Sequence, residues 1–256
     1  MSDWCGRVRP RTHEKFVAGQ RFLRSVSNFG NLIPMKSLLL RSAALVAGVA
    51  ALGLSACTTG GGGLGGGNYN VVAHKPKNPD AVKVKVSLQN QAVYVMEGDR
   101  ALMVAATNVG TSAKPTPKGS FRVYNKIAKK RSGSYGFWVN GNTIIAGTAG
   151  KSQGGRYVGY PMAYWVEFSP QYGFHQGYVW PVPRTHGCLR LHQTAAPKFF
   201  ALVKNGTPVS IAETQPEDQT LGRNLQRPTD YNDPDPPSAL LTSDRTFAPP
   251  SGPLLE

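Results

Sequence analysis

The sequence predicts a mainly β domain with one or two short helices, flanked by disordered N- and C-terminal segments. Three observations lead there. Regular apolar alternation begins near Val82 and fades near Ile211, glycine and proline crowd the two flanks, and the alternating runs are short and broken by turn residues. The part able to build a core is thus one domain of roughly 130 residues.

The first strand is read from Val82, Val84, Val86 and Leu88 alternating with Lys83, Lys85 and Ser87, the period of a half-buried strand. Val93 to Met96 gives a second, and Glu97-Gly98-Asp99 a hairpin turn into a third at Ala101 to Ala106. Ser120 to Tyr124, Tyr164 to Phe168 and Val209 to Ile211 add further strands. Thr194-Ala195-Ala196-Pro197, followed by Phe199, Phe200, Leu202 and Val203, predicts a helix capped by Thr194 and stopped at Asn205-Gly206. Pro197 falls in its first turn, where a missing N–H has no partner to lose.

Outside the domain, residues 35–56 run from Met35-Lys36 through an apolar stretch of leucines and small residues to Leu54-Ser55-Ala56-Cys57. This resembles a bacterial lipoprotein signal peptide, which implies lipidation of Cys57. The apolar run is shorter than the ~20 residues a spanning helix needs, so a cleaved leader fits better. Residues 1–34 are arginine-rich and read as preceding a true start at Met35, the alternative being a cytoplasmic arm on a type II anchor. Residues 57–80 form a glycine-rich tether, 81–212 the folded domain, and 213–256 a Pro/Asp-rich tail expected to be disordered or loosely draped. The expected station is the cell envelope, anchored by lipid at the periplasmic face. The lack of Asp at position 58 favours the outer membrane if the cell is Gram-negative.

The net charge of +15 is unevenly spread. From Thr58 to Ala212 there are 18 Lys or Arg against four acids, while the tail carries eight acids and three arginines. A basic domain suits an anionic partner. Nucleic acid is disfavoured, because the cations are scattered and no nucleic-acid-binding motif accompanies them.

Of three cysteines only Cys188 belongs to the domain, and a lone thiol in an oxidising compartment is a liability unless it does chemistry. Around it the chain reads Gly173-Phe174-His175, ten residues, then His186-Gly187-Cys188-Leu189-Arg190-Leu191. A thiol near histidines can be deprotonated or held as thiolate, and a glycine beside it lets backbone amides approach an oxyanion. The residues alone suggest acyl transfer. Buried structural roles for Cys188, His175 and His186 are the alternatives. A metal site is not expected, since no second ligand pair stands at zinc spacing, and neither is a cofactor. His74 and His192 are expected at the surface.

Thr185 to Leu191 with the upstream Gly-x-His resembles the active-site signature of the L,D-transpeptidase (YkuD-type) catalytic domain. Colinear support comes from Lys83 to Met96, Thr116-Pro117-Lys118-Gly119-Ser120-Phe121, Pro161 to Trp165, and Lys204 to Ile211. The resemblance implies an L,D-transpeptidase-like β-sandwich or barrel acting on peptidoglycan stem peptides. Carried over by position, Cys188 is the nucleophile, His175 the general base, His186 an assisting group and Gly187 an oxyanion amide. Arg190, Tyr164, Trp165 and Thr185 fall on substrate-binding positions, the alternatives being that Arg190 organises the loop and that Tyr164 and Trp165 belong to the core or the cleft wall. The short gap between His175 and Cys188 leaves the acceptor open. Transpeptidation, hydrolysis by an L,D-carboxypeptidase or endopeptidase, and non-catalytic peptidoglycan binding by a lipoprotein are the readings to separate.

Overall fold

The computed structural model describes residues 69–256. The proposed leader, Cys57 and most of the tether lie outside the described residues. Ten strands form one sheet: β1 (Val82–Ser87), β2 (Ala92–Glu97), β3 (Arg100–Asn108), β4 (Gly119–Arg122), β5 (Asn125–Asn140), β6 (Thr143–Thr148), β7 (Arg156–Ser169), β8 (Tyr172–Gln176), β9 (Leu189–Leu191) and β10 (Pro208–Ala212). Two helices, α1 (Ala196–Leu202) and α2 (Ser238–Thr242), complete the regular structure with a few 3-10 turns. The mainly β reading with two short helices holds. The sheet runs β4-β10-β1-β2-β3-β9-β8-β7-β5-β6 and is not closed, so it is no barrel.

The β1–β2–β3 meander forms where alternation is strongest, and Gly98 takes a φ of +60° in its β2–β3 hairpin. Val82, Val84, Val86, Val93 and Val95 share one core with Leu102, Phe174, Leu189, Leu191, Phe199 and Ile211. Parallel pairing of β1 with β10 and of β8 with β9 ties chain segments that are distant in sequence onto this core. Helix α1 starts later than expected, at Ala196, with no side-chain cap. The Thr194 hydroxyl instead bonds the His192 ring at 2.9 Å.

The flanks differ from expectation. Packing begins ahead of residue 81: Tyr69, Val71 and Ala73 are buried, and the Ala106 N–H donates to the Tyr69 hydroxyl at 3.2 Å. The tail is ordered. Every residue of β2 up to Met96 is buried, because the tail covers the face that carries Ala92, Tyr94 and Met96 with Leu225. The Tyr94 hydroxyl donates to Asp218 at 2.7 Å, and Ser87 donates to the same carboxylate at 2.8 Å. Farther on, Arg131 donates to the carbonyls of Leu241 and Ser243 and lies 4.9 Å from the Phe247 ring. The chain end pairs with Ala73 and Lys75 through Glu256. Composition hides this, because the anchoring side chains stand singly among Pro, Asp and Ser.

Candidate active site

The nucleophile candidate sits where a turn enters β9. Parallel pairing sets Leu189 opposite Phe174 and Arg190 opposite His175, so Cys188 enters this pair one residue ahead of Leu189, beside the strand that carries His175. Cys188 is half-exposed, and its thiol points at the Gln171 carbonyl, 3.6 Å away. Thr185, fully buried, braces the turn: its hydroxyl accepts from Gly187 N–H at 3.1 Å and donates to the Cys188 carbonyl at 2.6 Å. Gly187 has a φ of +105°, and a Cβ there would lie 2.4 Å from the Tyr172 ring. Only glycine fits this turn without strain.

His175 is 1% exposed. Its Nδ1 lies 2.8 Å from the Gln176 carbonyl. A carbonyl oxygen can only accept, so Nδ1 carries the proton and Nε2 keeps its lone pair. Nε2 is buried without a hydrogen-bond partner among the described residues. Burial first, then the Arg190 guanidinium, pushes the imidazole down to about 3 from 6.5. The ring is therefore neutral at neutral pH and able to take a proton, and a compensating anion beside it would favour that transfer. Trp165 lies against it, with ring centroids 6.1 Å apart. Gly173 makes room for that indole, since a Cβ there would come within 2.8 Å of it.

The substrate-binding positions expected from sequence are differently placed. Arg190 is 3% exposed, its side chain running past Gly177, and it acts on His175 rather than on a solvent-borne carboxylate. Trp165 is buried beneath His175, and Thr185 is structural in the turn. Tyr164, the next residue from Trp165 along β7, packs on Phe200 of α1, with centroids 5.7 Å apart. His186 is half-buried against Tyr135 of β5, with centroids 5.5 Å apart. The Gly187 amide already serves Thr185, so an oxyanion there would compete with that hydroxyl.

His192, expected at the surface, is 2% exposed beneath the tail, 3.9 Å from the Asp230 carboxylate. Burial pushes it down to about 4, against the pull of Asp233. Both depressed histidines stabilise the fold fully above their unfolded pKa near 6.5, and that stability drains as pH falls towards 3 or 4. We predict that the urea midpoint drops between pH 7 and pH 5, above the range in which carboxylates titrate; an unchanged midpoint would contradict the assignment.

A cavity of about 540 Å³ lies farther along β7 and β8, walled by the tail and lined by Pro161, Ala163, Gly177, Asp233 and Leu241. It includes neither Cys188 nor His175. No cluster of metal-ligating side chains occurs among the described residues.

Comparison with known proteins agrees with the signature. Residues 81–211 match the family model described as the L,D-transpeptidase catalytic domain, YkuD. A Bacillus licheniformis protein named for the L,D-transpeptidase YkuD is 27% identical over 160 residues, covering 58% of this chain and 80% of its own. Among solved structures, an L,D-transpeptidase from Stackebrandtia nassauensis aligns at 18% identity and a TM-score of 0.39 over 56% of this chain. L,D-transpeptidase 1 of Mycobacterium tuberculosis aligns at 22% identity and 0.37 over 52% of it. The chain spans 60% of each of those two structures.

Proposed function

The chain belongs to the YkuD family of L,D-transpeptidase catalytic domains, and from that membership we propose that it is a cysteine-dependent peptidoglycan L,D-transpeptidase. The observation that carries the reading is a half-exposed thiol at the entry to a strand paired in parallel with the strand that carries a neutral imidazole, whose Nε2 has no hydrogen-bond partner among the described residues. Nε2 takes the Cys188 proton as sulfur attacks the carbonyl joining the third, L-centred residue of a tetrapeptide stem to its terminal D-alanine. The oxyanion is stabilised by the Cys188 backbone amide, and by the Gly187 amide once the oxyanion displaces the Thr185 hydroxyl from it. Collapse returns the proton to the leaving nitrogen, frees D-alanine and leaves a thioester on sulfur. An amine of a second stem, or of a protein lysine, then attacks the thioester, and its proton returns through His175 to the thiol.

Burial of His175 first, and then the Arg190 guanidinium beside it, make an isolated imidazolium costly, so proton transfer is favoured only together with formation of an anion at sulfur or at the attacked carbonyl. Half-exposure of Cys188 supports access for a peptide. The basic surface suits a carboxylate-rich polymer, and the expected lipid at Cys57 would hold the domain at the periplasmic face, where such stems lie.

Purified protein incubated with tetrapeptide stems should release D-alanine and yield 3→3-linked dimers. Tripeptides without dimers would instead identify water as acceptor and an L,D-carboxypeptidase. No D-alanine release from any stem would leave only peptidoglycan binding and reject the enzymatic reading.

A further inference from the structure

Glu167 stands out in the composition. It is the only acid between Asp99 and Glu213, in a strongly basic domain, yet it forms no ion pair among the described residues. Its carboxylate instead gathers neutral donors. Oε2 accepts from Trp165 Nε1 at 3.2 Å and from Asn125 Nδ2 at 3.2 Å, and Oε1 accepts the backbone N–H of Gln171 at 3.2 Å. Burial alone would raise this carboxyl, but the donors outweigh it and hold it below the usual carboxylate range, so it stays ionised.

Two of these bonds lead to the reacting pair. The Gln171 carbonyl is the acceptor of the Cys188 thiol, and Gln171 holds a left-handed φ of +69° in the β7–β8 turn. A non-glycine residue keeps such a conformation only where its surroundings fix it. The bond from Gln171 N–H to Glu167 spans that turn. The other bond orients the Trp165 indole, which lies against His175 at an interplanar angle of 33°. Without it the indole could turn about its side-chain torsions, and His175 would lose the ring it packs against.

Resting on the cysteine–histidine reading above, we infer that Glu167 is a positioning residue that holds both members of the catalytic pair, Cys188 through Gln171 and His175 through Trp165. Charge-assisted bonds of this kind are stronger than neutral ones, so one carboxylate can fix two otherwise independent groups.

The test is the pH profile of Cys188 alkylation by iodoacetamide in the full chain, read by mass spectrometry on the tryptic peptide that carries Cys188, with D-alanine release measured alongside. In Glu167→Ala, alkylation at pH 7 should slow by about 10-fold with the profile displaced, and kcat should fall by about 10-fold or more with KM changed less than about threefold. Glu167→Gln, which keeps one acceptor oxygen, should fall between Ala and wild type. Asn125→Ala removes a different donor to the same carboxylate and should leave the alkylation profile unchanged. Thermal melts report the folded fraction in each case. A folded Glu167→Ala with the wild-type profile and kcat overturns the inference, and so does Asn125→Ala matching its defect. Because alkylation needs no turnover, the inference can fail or stand independently of whether stems are the substrate.

Discussion

Cys188→Ala should lower D-alanine release from tetrapeptide stems by at least about 10³-fold, because no other group in the turn can form the thioester. The fold should not suffer. Cys188 is half-exposed, its sulfur makes a long contact of 3.6 Å, and the turn is held by the Thr185 hydroxyl and by Gly187 packed on Tyr172. Deleting one sulfur therefore removes chemistry and little packing. Circular dichroism and the melting temperature should match wild type. A folded variant that releases D-alanine at more than a tenth of the wild-type rate would exclude sulfur as the nucleophile.

His175→Gln should cost about 10²- to 10⁴-fold in kcat, the usual range for a lost general base. Glutamine can still donate to the Gln176 carbonyl that now receives Nδ1, but its amide cannot accept a proton at neutral pH. Substrate affinity should change little, since the ring is 1% exposed and touches the reaction only through Nε2. The same substitution removes a buried group that charges in acid, so the variant should lose less stability than wild type between pH 7 and pH 5. Stem turnover by a properly folded His175→Gln at the wild-type rate would remove His175 from the mechanism.

The meander β1–β3, β10 and the position of Pro197 in α1 were legible because each has one buried face and a clean period. The long β5 and β6 were not. Their residues are mostly half-exposed or exposed, and Gly133, Gly136 and Gly147 interrupt any alternation. β8 and β9 are only five and three residues long, and what gives them away is a chemical motif, not a period. The motif singles out Cys188 and His175 as a candidate pair, while the burial of the residues around them depends on the folded strands. Arg190, Trp165 and Thr185 look like substrate contacts in a linear motif, yet the parallel β8–β9 pair turns Arg190 inward and the turn consumes the Thr185 hydroxyl. Glu167 left no signal beyond being a lone acid, because apart from Trp165 two residues away its partners lie on a neighbouring strand and across a turn. The tail escaped because its order comes from Asp218, Asp230 and single apolar residues meeting a surface that only the folded domain presents.

The most direct test of the nucleophile is the mass of the covalent intermediate. Wild-type protein mixed with excess tetrapeptide stem and quenched in acid should carry an added mass equal to the stem less D-alanine, mapped to the peptide containing Cys188 and absent from Cys188→Ala. D-alanine release with no such adduct, or an adduct that persists when Cys188 is alanine, would contradict the account.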